Sequence, residues 1–239
     1  MKLKLIEKRV EAKGTKSFFW ESEKKTEWLA GQYFYFTLPK LNYPDPRGAT
    51  RHFTISSSPT EDNVLRLTTR IRKESGYKKT LDELKIGSEI EAAGPNGTFI
   101  LDEKEAGNHV FIAGGIGVTP FRSMIKYAID NNIGSKITLI YSNSTPEEIA
   151  FYTEFVDWAA KWPNLKLAIT VTHPEESKQI WKGLTGRIDL AMIKKYSEGI
   201  NDPTYWLCGP PAMIDGVEEV ISKMKIPDNK LRTEKFTGY

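Results

Sequence analysis

Residues 111–121 run Phe-Ile-Ala-Gly-Gly-Ile-Gly-Val-Thr-Pro-Phe, a short apolar strand followed by three glycines and the start of a helix. Glycines let a backbone approach a pyrophosphate closely, and the N–H groups at a helix N-terminus attract anions. The same glycines suit a tight strand-to-helix turn equally well. The spacing is not Gly-x-Gly-x-x-Gly, so it does not carry the dinucleotide fingerprint. The segment predicts a strand that enters a helix through an anion site or a tight turn.

Strands and helices alternate from this segment to the C-terminus. Such alternation is typical of βαβ units, which build a parallel sheet with helices on both faces. The proline at position 146 is expected to start a helix. The predicted strands span residues 110–113, 136–141, 166–172, 204–208 and 231–236, and the predicted helices span residues 120–131, 146–162, 190–196 and 212–225.

The first hundred residues follow a different pattern, in which short segments rich in β-branched and aromatic residues alternate with Pro, Gly and Asp turns. Many short strands with regular turns favour an antiparallel barrel or sandwich. We therefore predict two domains, an antiparallel β-barrel over residues 1–104 and an α/β domain with a parallel sheet over residues 105–239. The predicted barrel strands span residues 3–10, 16–20, 32–38, 52–56, 65–71 and 89–93, with a helical turn near residues 78–84.

Composition excludes several classes of protein. One cysteine, Cys208, allows neither an intrachain disulfide nor an iron–sulfur cluster within the chain, and the three histidines lack metal-ligand spacing. The net charge of +3, with its excess in the first 104 residues, does not predict nucleic-acid binding and suggests at most an acidic protein partner. No stretch predicts a membrane span, and the N-terminus alternates like a strand, so a cytoplasmic location is expected.

A second segment, residues 205–213, follows a late strand and runs Tyr-Trp-Leu-Cys-Gly-Pro-Pro-Ala-Met. Ligands of open parallel sheets collect at the carboxyl ends of strands, so this segment and residues 111–121 point to one crevice. Cys208 is also consistent with a small buried hydrophobe, and nothing beside it supports a nucleophile.

Two segments of the first half carry groups that suit a flavin and its phosphates. Residues 51–59 run Arg-His-Phe-Thr-Ile-Ser-Ser-Ser-Pro. The arginine can pair with a phosphate, the aromatic ring can cover an isoalloxazine, and the hydroxyls can hydrogen-bond a flavin nitrogen. The alternative is a strand that ends in a serine turn. Residues 75–81 run Ser-Gly-Tyr-Lys-Lys-Thr-Leu and predict a helix start that binds an anion, or a capped helix with solvated lysines.

Taken in this order, the segments resemble the ferredoxin–NADP(H) reductase family of FAD-dependent oxidoreductases over essentially the whole chain. Residues 31–33 resemble its barrel-entry motif, residues 51–54 its Arg-x-Tyr-Ser flavin signature, residues 76–78 its FAD pyrophosphate segment, residues 114–120 its nicotinamide dinucleotide loop, residues 208–210 its Cys-Gly-Pro motif and residues 234–236 its Glu-x-aromatic ending.

The resemblance implies an FAD-binding barrel and a nucleotide-binding α/β domain whose cofactors meet in the cleft. Arg51 is expected to pair with the FAD pyrophosphate, Phe53 to pack on the isoalloxazine and Thr54 to donate to flavin N5. Cys208 is expected to orient the nicotinamide, with Glu234 beside it as a polar or proton-relay group. Thr54, Cys208 and Glu234 are the implied catalytic residues. The implied cofactor-binding residues are Arg51, His52, Phe53, Thr54, Thr69, Arg70, Ile71, Gly76, Tyr77, Lys78, Gly114, Gly115, Gly117, Thr119, Pro120, Ser142, Asn143, Cys208, Gly209, Pro210, Met213, Phe236 and Tyr239.

The sequence departs from the family pattern at three places. Phe53 lacks the hydroxyl of the usual tyrosine, which predicts weaker FAD binding. Residues 142–144 run Ser-Asn-Ser where an arginine for the 2′-phosphate of NADPH is expected, so NADH and NADPH both remain candidates. Three residues follow Phe236, so Phe236 or Tyr239 is the ring expected on the second flavin face.

The resemblance predicts an FAD-dependent enzyme that takes a hydride from NADPH or NADH and passes electrons to an external acceptor, such as a ferredoxin or flavodoxin. One alternative is an NAD(P)H:flavin reductase that uses flavin as a substrate. Another is a non-catalytic, redox-sensing module that binds flavin or nucleotide.

Overall fold

The computed structural model describes residues 1–101 and 107–237. The predicted boundary between residues 104 and 105 falls outside these ranges. In the described part of the chain, an antiparallel sheet is followed by a parallel one, as the sequence predicts.

The N-terminal domain is a six-stranded antiparallel sheet in the order β4-β3-β6-β1-β2-β5. A bridge between Ile55 and Leu67 joins the two ends of this order and closes the sheet into a barrel. The helix α1 (Gly76–Glu83) lies between β5 and β6 in the chain. The strands are β1 (Lys2–Ala12), β2 (Thr15–Ser22), β3 (Tyr33–Thr37), β4 (Thr50–Thr54), β5 (Val64–Arg70) and β6 (Glu89–Asn96).

Alternation of buried and exposed side chains shapes this barrel. Along β3, Phe34 and Phe36 are fully buried while Tyr35 between them is exposed. Trp20 and Phe18 of β2 are likewise fully buried in the same core. This period of two places one face of each strand in the core, so the barrel interior is filled by rings.

The C-terminal domain is a six-stranded parallel sheet in the order β10-β9-β8-β7-β11-β12. Its central strand, β7, is buried at every residue, as expected for a parallel sheet with both faces covered. The strands are β7 (His109–Gly114), β8 (Ile137–Asn143), β9 (Leu165–Val171), β10 (Leu184–Thr185), β11 (Thr204–Gly209) and β12 (Leu231–Lys235), and the helices are α2 (Thr119–Asp130), α3 (Tyr152–Lys161), α4 (Leu190–Ser197) and α5 (Pro211–Ser222).

The strand order reverses at β7, because the chain continues to β8 on one side and later returns to β11 on the other. At such a switch point the connecting loops diverge and leave a crevice at the carboxyl ends of the strands. Gly114 ends β7 and Gly209 ends β11. The two glycine-containing segments therefore meet at one place.

The predicted helix over residues 146–162 is wrong in its first part. Residues Pro146–Glu148 form one 3-10 turn, and α3 begins only at Tyr152. Phe151, just before α3, has a left-handed backbone with φ of 60°, which interrupts the helix. This conformation is uncommon for an aromatic residue, and its side chain is buried. In the described ranges, no helix is long and apolar enough to cross a bilayer.

Candidate active site at the domain interface

A cavity of about 300 Å³ opens beside β4 and the start of α1. Thr237, from the C-terminal tail, completes a wall that is otherwise formed by the barrel. Its walls therefore come from both domains. The other lining residues are Asp45, Pro46, Arg47, Arg51, His52, Phe53, Arg72, Glu74, Ser75 and Lys78. We call this space the barrel cavity.

The barrel cavity has a net positive charge, with four basic residues against the two carboxylates of Asp45 and Glu74. Arg47, Arg51, Arg72 and Lys78 all line it, and Lys78 is 5% exposed. Burial, and then the charges of the neighbouring arginines, lower the pKa of Lys78 to about 7. A bound anion would relieve this crowding of positive charge. The donor set therefore fits a diphosphate such as that of FAD.

Asp45 holds Arg51 in place, an arrangement that the sequence did not predict. The Asp45 carboxylate pairs with the Arg51 guanidinium and accepts hydrogen bonds from the Tyr77 backbone N–H at 2.9 Å and the Ser75 hydroxyl at 3.0 Å. Although burial opposes it, these bonds and the charge of Arg51 hold the pKa of Asp45 below its usual value. Asp45 thus ties the arginine to the start of α1.

The residues after Arg51 alternate between the two faces of β4. His52 is exposed and packs on Tyr33 with ring centroids 5.3 Å apart, whereas Phe53 is 4% exposed and packs on Tyr77 at 5.9 Å. The Tyr77 side chain is fully buried and donates to the carbonyl of Phe36 at 3.0 Å. Phe53 and Tyr77 are therefore largely core residues, and Phe53 alone of the two lines the barrel cavity.

Thr54 ends β4 opposite Tyr33 and is buried. At the end of β5, Thr69 is fully buried and Ile71 is half-buried against the barrel core. Gly76 packs so closely on residues 43–44 that a Cβ atom would lie 2.6 Å from the Tyr43 carbonyl oxygen. This contact requires glycine at the start of α1.

A second cavity, of about 540 Å³, lies at the switch point of the parallel sheet. Arg70 enters it from the barrel, and all its other walls come from the α/β domain. Among the residues predicted to bind a cofactor, it is lined by Arg70, Gly114, Gly115, Ser142, Asn143, Pro210 and Met213. We call this space the sheet cavity.

Two of the loop glycines are needed for different physical reasons. A Cβ atom on Gly117 would lie 2.5 Å from the carbonyl carbon of Cys208, so the loops after β7 and β11 could not pack together. Gly115 has a φ of +51° and borders the sheet cavity, and a Cβ atom there would lie 3.4 Å from Arg70. Thr119 donates to the carbonyl of Ile116 at 3.1 Å, and Pro120 follows at the start of α2. The turn is thus tight and also borders a cavity.

Two arginines of the sheet cavity have positions that the sequence alone does not fix. Arg70 pairs with Glu148 across the domain interface at 2.7 Å. Arg187 lies just after the short strand β10, which pairs with β9 and so brings it to the cavity that Ser142 and Asn143 also line. Arg187, in the loop after β10, therefore brings a guanidinium to the cavity that residues 142–144 also border.

Cys208 and Glu234 lie side by side in the parallel sheet. Cys208 and Glu234 are register partners on the parallel strands β11 and β12. Burial, and then the charge of Glu234, raises the pKa of Cys208 well above its usual value. Burial also raises the pKa of Glu234 to about 7. The pKa of Tyr33 is raised mainly by a hydrogen bond with Tyr35 and by desolvation, with a smaller contribution from the charge of Glu234.

Both cavities have walls from both domains, since Thr237 reaches the barrel cavity and Arg70 reaches the sheet cavity. Thr54, at the end of β4, is the register partner of Tyr33 on β3. Arg70, which lines the sheet cavity, also acts electrostatically on Lys78 in the barrel cavity. Both cavities therefore border the domain interface.

The chain runs from β12 toward the barrel cavity. The Phe236 backbone N–H donates to the carbonyl of Gly209 at 2.9 Å, and its half-buried ring packs on the core of the α/β domain. Thr237 then lines the barrel cavity. Tyr239, the alternative stacking ring, lies outside the described residues.

Comparison with known proteins agrees with this division. Residues 2–101 match the oxidoreductase FAD-binding domain, and residues 111–219 match the oxidoreductase NAD-binding domain. The chain is 27% identical over 217 residues to the phenol hydroxylase P5 protein of Acinetobacter pittii, covering 90% of this chain and 59% of that protein. It is 28% identical to the glycine betaine monooxygenase reductase subunit of Chromohalobacter salexigens, covering 80% of this chain and 52% of that protein. The chain thus spans less than two thirds of these relatives.

Solved structures share the fold over nearly the whole chain. The Amycolatopsis cytochrome P450 reductase GcoB superposes with a TM-score of 0.84 at 23% identity, covering 100% of this chain and 70% of that one. A ferredoxin–NADP⁺ reductase from Plasmodium falciparum superposes with a TM-score of 0.78 at 18% identity, covering 98% and 95%. With both domain matches in order along the sequence, the chain belongs to the oxidoreductases that join an FAD-binding domain to an NAD-binding domain, and it shares the fold of ferredoxin–NADP⁺ reductase.

Proposed function

We propose that this chain is an NAD(P)H-dependent reductase that receives a hydride on FAD and delivers electrons singly to an external carrier. The observation that carries the proposal is that the C-terminal tail joins the two cavities: the Phe236 N–H donates to the Gly209 carbonyl next to Pro210 of the sheet cavity, and Thr237 lines the cationic barrel cavity. We also propose that the domain boundary lies between residues 104 and 105, in the interval between the two family matches.

The barrel cavity is proposed to hold FAD. Arg51 and Lys78 are the proposed partners of the diphosphate, together with the start of α1 at Gly76. Because Arg51 is already fixed by Asp45, little side-chain entropy is lost when it binds a phosphate. The remaining proposed FAD contacts are His52, Phe53, Thr54, Thr69, Ile71, Tyr77 and either Phe236 or Tyr239.

The sheet cavity is proposed to hold NADH or NADPH. Gly114 and Gly115 would lie beside the pyrophosphate, and Arg70 would approach it from the barrel. Ser142, Asn143 and Arg187 surround the adenosine end, where Arg187 offers a cation to a 2′-phosphate. The remaining proposed contacts are Gly117, Thr119, Pro120, Gly209, Pro210 and Met213.

When both cofactors are bound, they supply hydride transfer from C4 of the nicotinamide to N5 of the flavin. The chain's contribution is chiefly positioning. Thr54 is buried at the end of β4, and Cys208 is fully buried with a thiol that stays protonated and uncharged. With a pKa of about 7, Glu234 can hold or release a proton beside them near neutral pH.

The acceptor is proposed to be a small redox protein such as a ferredoxin or flavodoxin, in keeping with relatives named as reductase components of oxygenases. The basic excess of the first 104 residues favours an acidic surface on this partner. A flavin reductase that uses free flavin as substrate is the second candidate, favoured by the replacement of the usual tyrosine by Phe53.

Anaerobic titration of the purified protein with NADH and NADPH in parallel tests the proposal. We expect flavin absorbance near 450 nm to bleach with one dinucleotide equivalent per FAD, followed by reoxidation on addition of a ferredoxin. Loss of FAD during gel filtration, with turnover restored by free flavin, would favour the flavin reductase. Absence of bleaching with either dinucleotide would refute both and leave a binding module.

FAD affinity is expected to fall as the pH rises through about 7. A diphosphate binds the charged form of Lys78, whose pKa is about 7 before FAD binds. Above that pH, the binding of each FAD therefore requires Lys78 to take up a proton. The dissociation constant should increase up to about tenfold per pH unit above pH 7 and level off below it. Fluorescence titration of the apoprotein with FAD between pH 6 and 9 measures this. Lys78→Arg should remove most of the slope, since arginine stays charged; an unchanged slope would exclude Lys78 as its source.

Arg187→Ala is expected to weaken NADPH selectively. Arg187 borders the sheet cavity beside Ser142 and Asn143, and an arginine–phosphate pair contributes about 1.5–3 kcal/mol. The KM for NADPH should rise about 10- to 100-fold while the KM for NADH changes little. Lys182→Ala, on the preceding loop, is the control. Equal losses for both dinucleotides would show that Arg187 does not contact a 2′-phosphate.

A further inference from the structure

A cluster of charged residues crosses the domain interface away from the residues assigned to either cofactor. It consists of Glu11, Glu61 and Arg66 from the barrel and Arg122 and Glu154 from the α/β domain. Arg66 is 2% exposed and Arg122 is 3% exposed, so both guanidinium groups are removed from water. We call these five residues the interdomain charge cluster.

Glu154 on α3 is the centre of this cluster. It accepts from Arg122 at 2.7 Å within its own domain and from Arg66 of the barrel at 2.9 Å. Although burial acts in the opposite direction, the charges of the two arginines lower the pKa of Glu154. Arg66 also pairs with Glu11 at 2.7 Å. Glu154 is therefore an anion held by one arginine from each domain.

Arg122 makes the reciprocal connection from α2 to the barrel. It donates to Glu61 at 3.0 Å and to the backbone carbonyl of Ser56 at 2.9 Å. The next residue, Ser123, donates to the carbonyl of Ser57 at 2.7 Å. Phe151 packs between the cations, with Arg66 at 4.6 Å and Arg122 at 5.9 Å from its ring centroid.

The anchoring points of this cluster are close in the chain to both proposed cofactor sites. Ser56 lies two residues after Thr54, and Arg122 lies in the first turn of α2, directly after the glycine loop that ends at Val118. A rotation between the domains would have to break several buried bonds at these anchors. Breaking a buried ion pair leaves a buried charge without its partner, and the free-energy cost of doing so opposes such a rotation.

We propose that the interdomain charge cluster sets the angle between the two domains and thereby the distance between flavin and nicotinamide, with Arg122 and Glu154 as positioning residues. The role in distance rests on the proposed function, whereas the role in domain angle does not. Hydride transfer is steeply sensitive to this distance, since a misplacement of 1 Å can cost about 100-fold in rate.

Distance measurements between spin labels test the domain angle directly. The single native cysteine is buried, so labels can be attached at Ile86→Cys in the barrel and Ile180→Cys in the α/β domain, which are 57% and 89% exposed. We expect one narrow distance distribution in the otherwise unchanged protein and a broadened one in Glu154→Gln and Arg122→Ala. The control is Asp82→Asn, which breaks the ion pair of Lys16 and Asp82 within the barrel at 2.6 Å. An unchanged distribution in both cluster variants would overturn the proposal.

Stopped-flow reduction of the FAD-loaded variants tests the consequence. The hydride-transfer rate at saturating dinucleotide should fall about tenfold in Glu154→Gln, while the dissociation constant of the dinucleotide changes less than about threefold. Arg122→Lys should recover part of the rate lost in Arg122→Ala. A broadened distribution with an unchanged rate would overturn the link to distance. If the unmodified protein is not reduced by either dinucleotide, the proposed function fails, but the distance measurement still decides the role in domain angle.

Discussion

Gly117→Ala is expected to slow flavin reduction by NADH or NADPH about 100-fold while FAD remains bound. The added Cβ atom would lie 2.5 Å from the Cys208 carbonyl carbon and 2.6 Å from the Gly209 Cα atom, both of which belong to backbone. Backbone cannot rotate away like a flexible side chain, so the loops after β7 and β11 must separate. That separation displaces the proposed nicotinamide site relative to the barrel.

A control variant separates the slower flavin reduction from general destabilisation of the fold. Gly134→Ala is the matched control, since a Cβ atom there meets no atom within 4 Å and its backbone needs no left-handed conformation. Single-turnover bleaching of the flavin, FAD content and the melting temperature are measured for both variants. We expect a large loss of rate only in Gly117→Ala. A normal rate in that variant would mean that the two loops need not touch for hydride transfer, and the proposed site at the switch point would be wrong.

Gly117 also illustrates how far the sequence predicts the site. Three glycines after an apolar strand leave a pyrophosphate loop and a tight turn equally open, because both depend on the same backbone freedom. The structure shows the packing of Gly117 against Cys208, residues that are 91 positions apart in the chain. The sequence pattern shows that glycine is preferred at this turn. The order of the strands in the sheet decides which neighbour, here Cys208, makes glycine necessary.

The same distinction explains the features that the sequence did not predict. Period-two and strand–helix patterns are local, so the barrel and the parallel sheet were predictable from them. Arg187 follows a two-residue strand with no detectable periodicity, and only its pairing with β9 brings it to the cavity. Asp45 lies in a turn that the sequence marks only as Pro- and Gly-rich, yet its carboxylate organises Arg51 and the start of α1. The break at Phe151 likewise reflects tertiary packing, since its ring lies between two arginines of the interdomain charge cluster.

Arg51→Ala is expected to weaken FAD binding about 100-fold, equivalent to about 2.7 kcal/mol, while the dinucleotide site stays intact. The Arg51 guanidinium, on β4, lines the barrel cavity. Hydrogen bonds to charged groups contribute about 1.5–3 kcal/mol each. Calorimetric titration of the apoprotein with FAD measures the loss. Arg51→Lys should recover only part of it, because a lysine keeps the charge but not the two-pronged geometry.

The alternative explanation is that the loss of Arg51 weakens FAD binding only because Asp45 loses its countercharge. Removing Arg51 leaves a carboxylate that is 4% exposed without its countercharge, which by itself can distort the start of α1. The double variant Arg51→Ala/Asp45→Asn removes this orphaned charge while an amide retains acceptor capacity for the Tyr77 N–H and the Ser75 hydroxyl. If Arg51 binds the diphosphate, FAD affinity stays low in the double variant although its melting temperature recovers. Recovery of both would assign Arg51 a structural role and leave Lys78 and the start of α1 as the phosphate-binding elements.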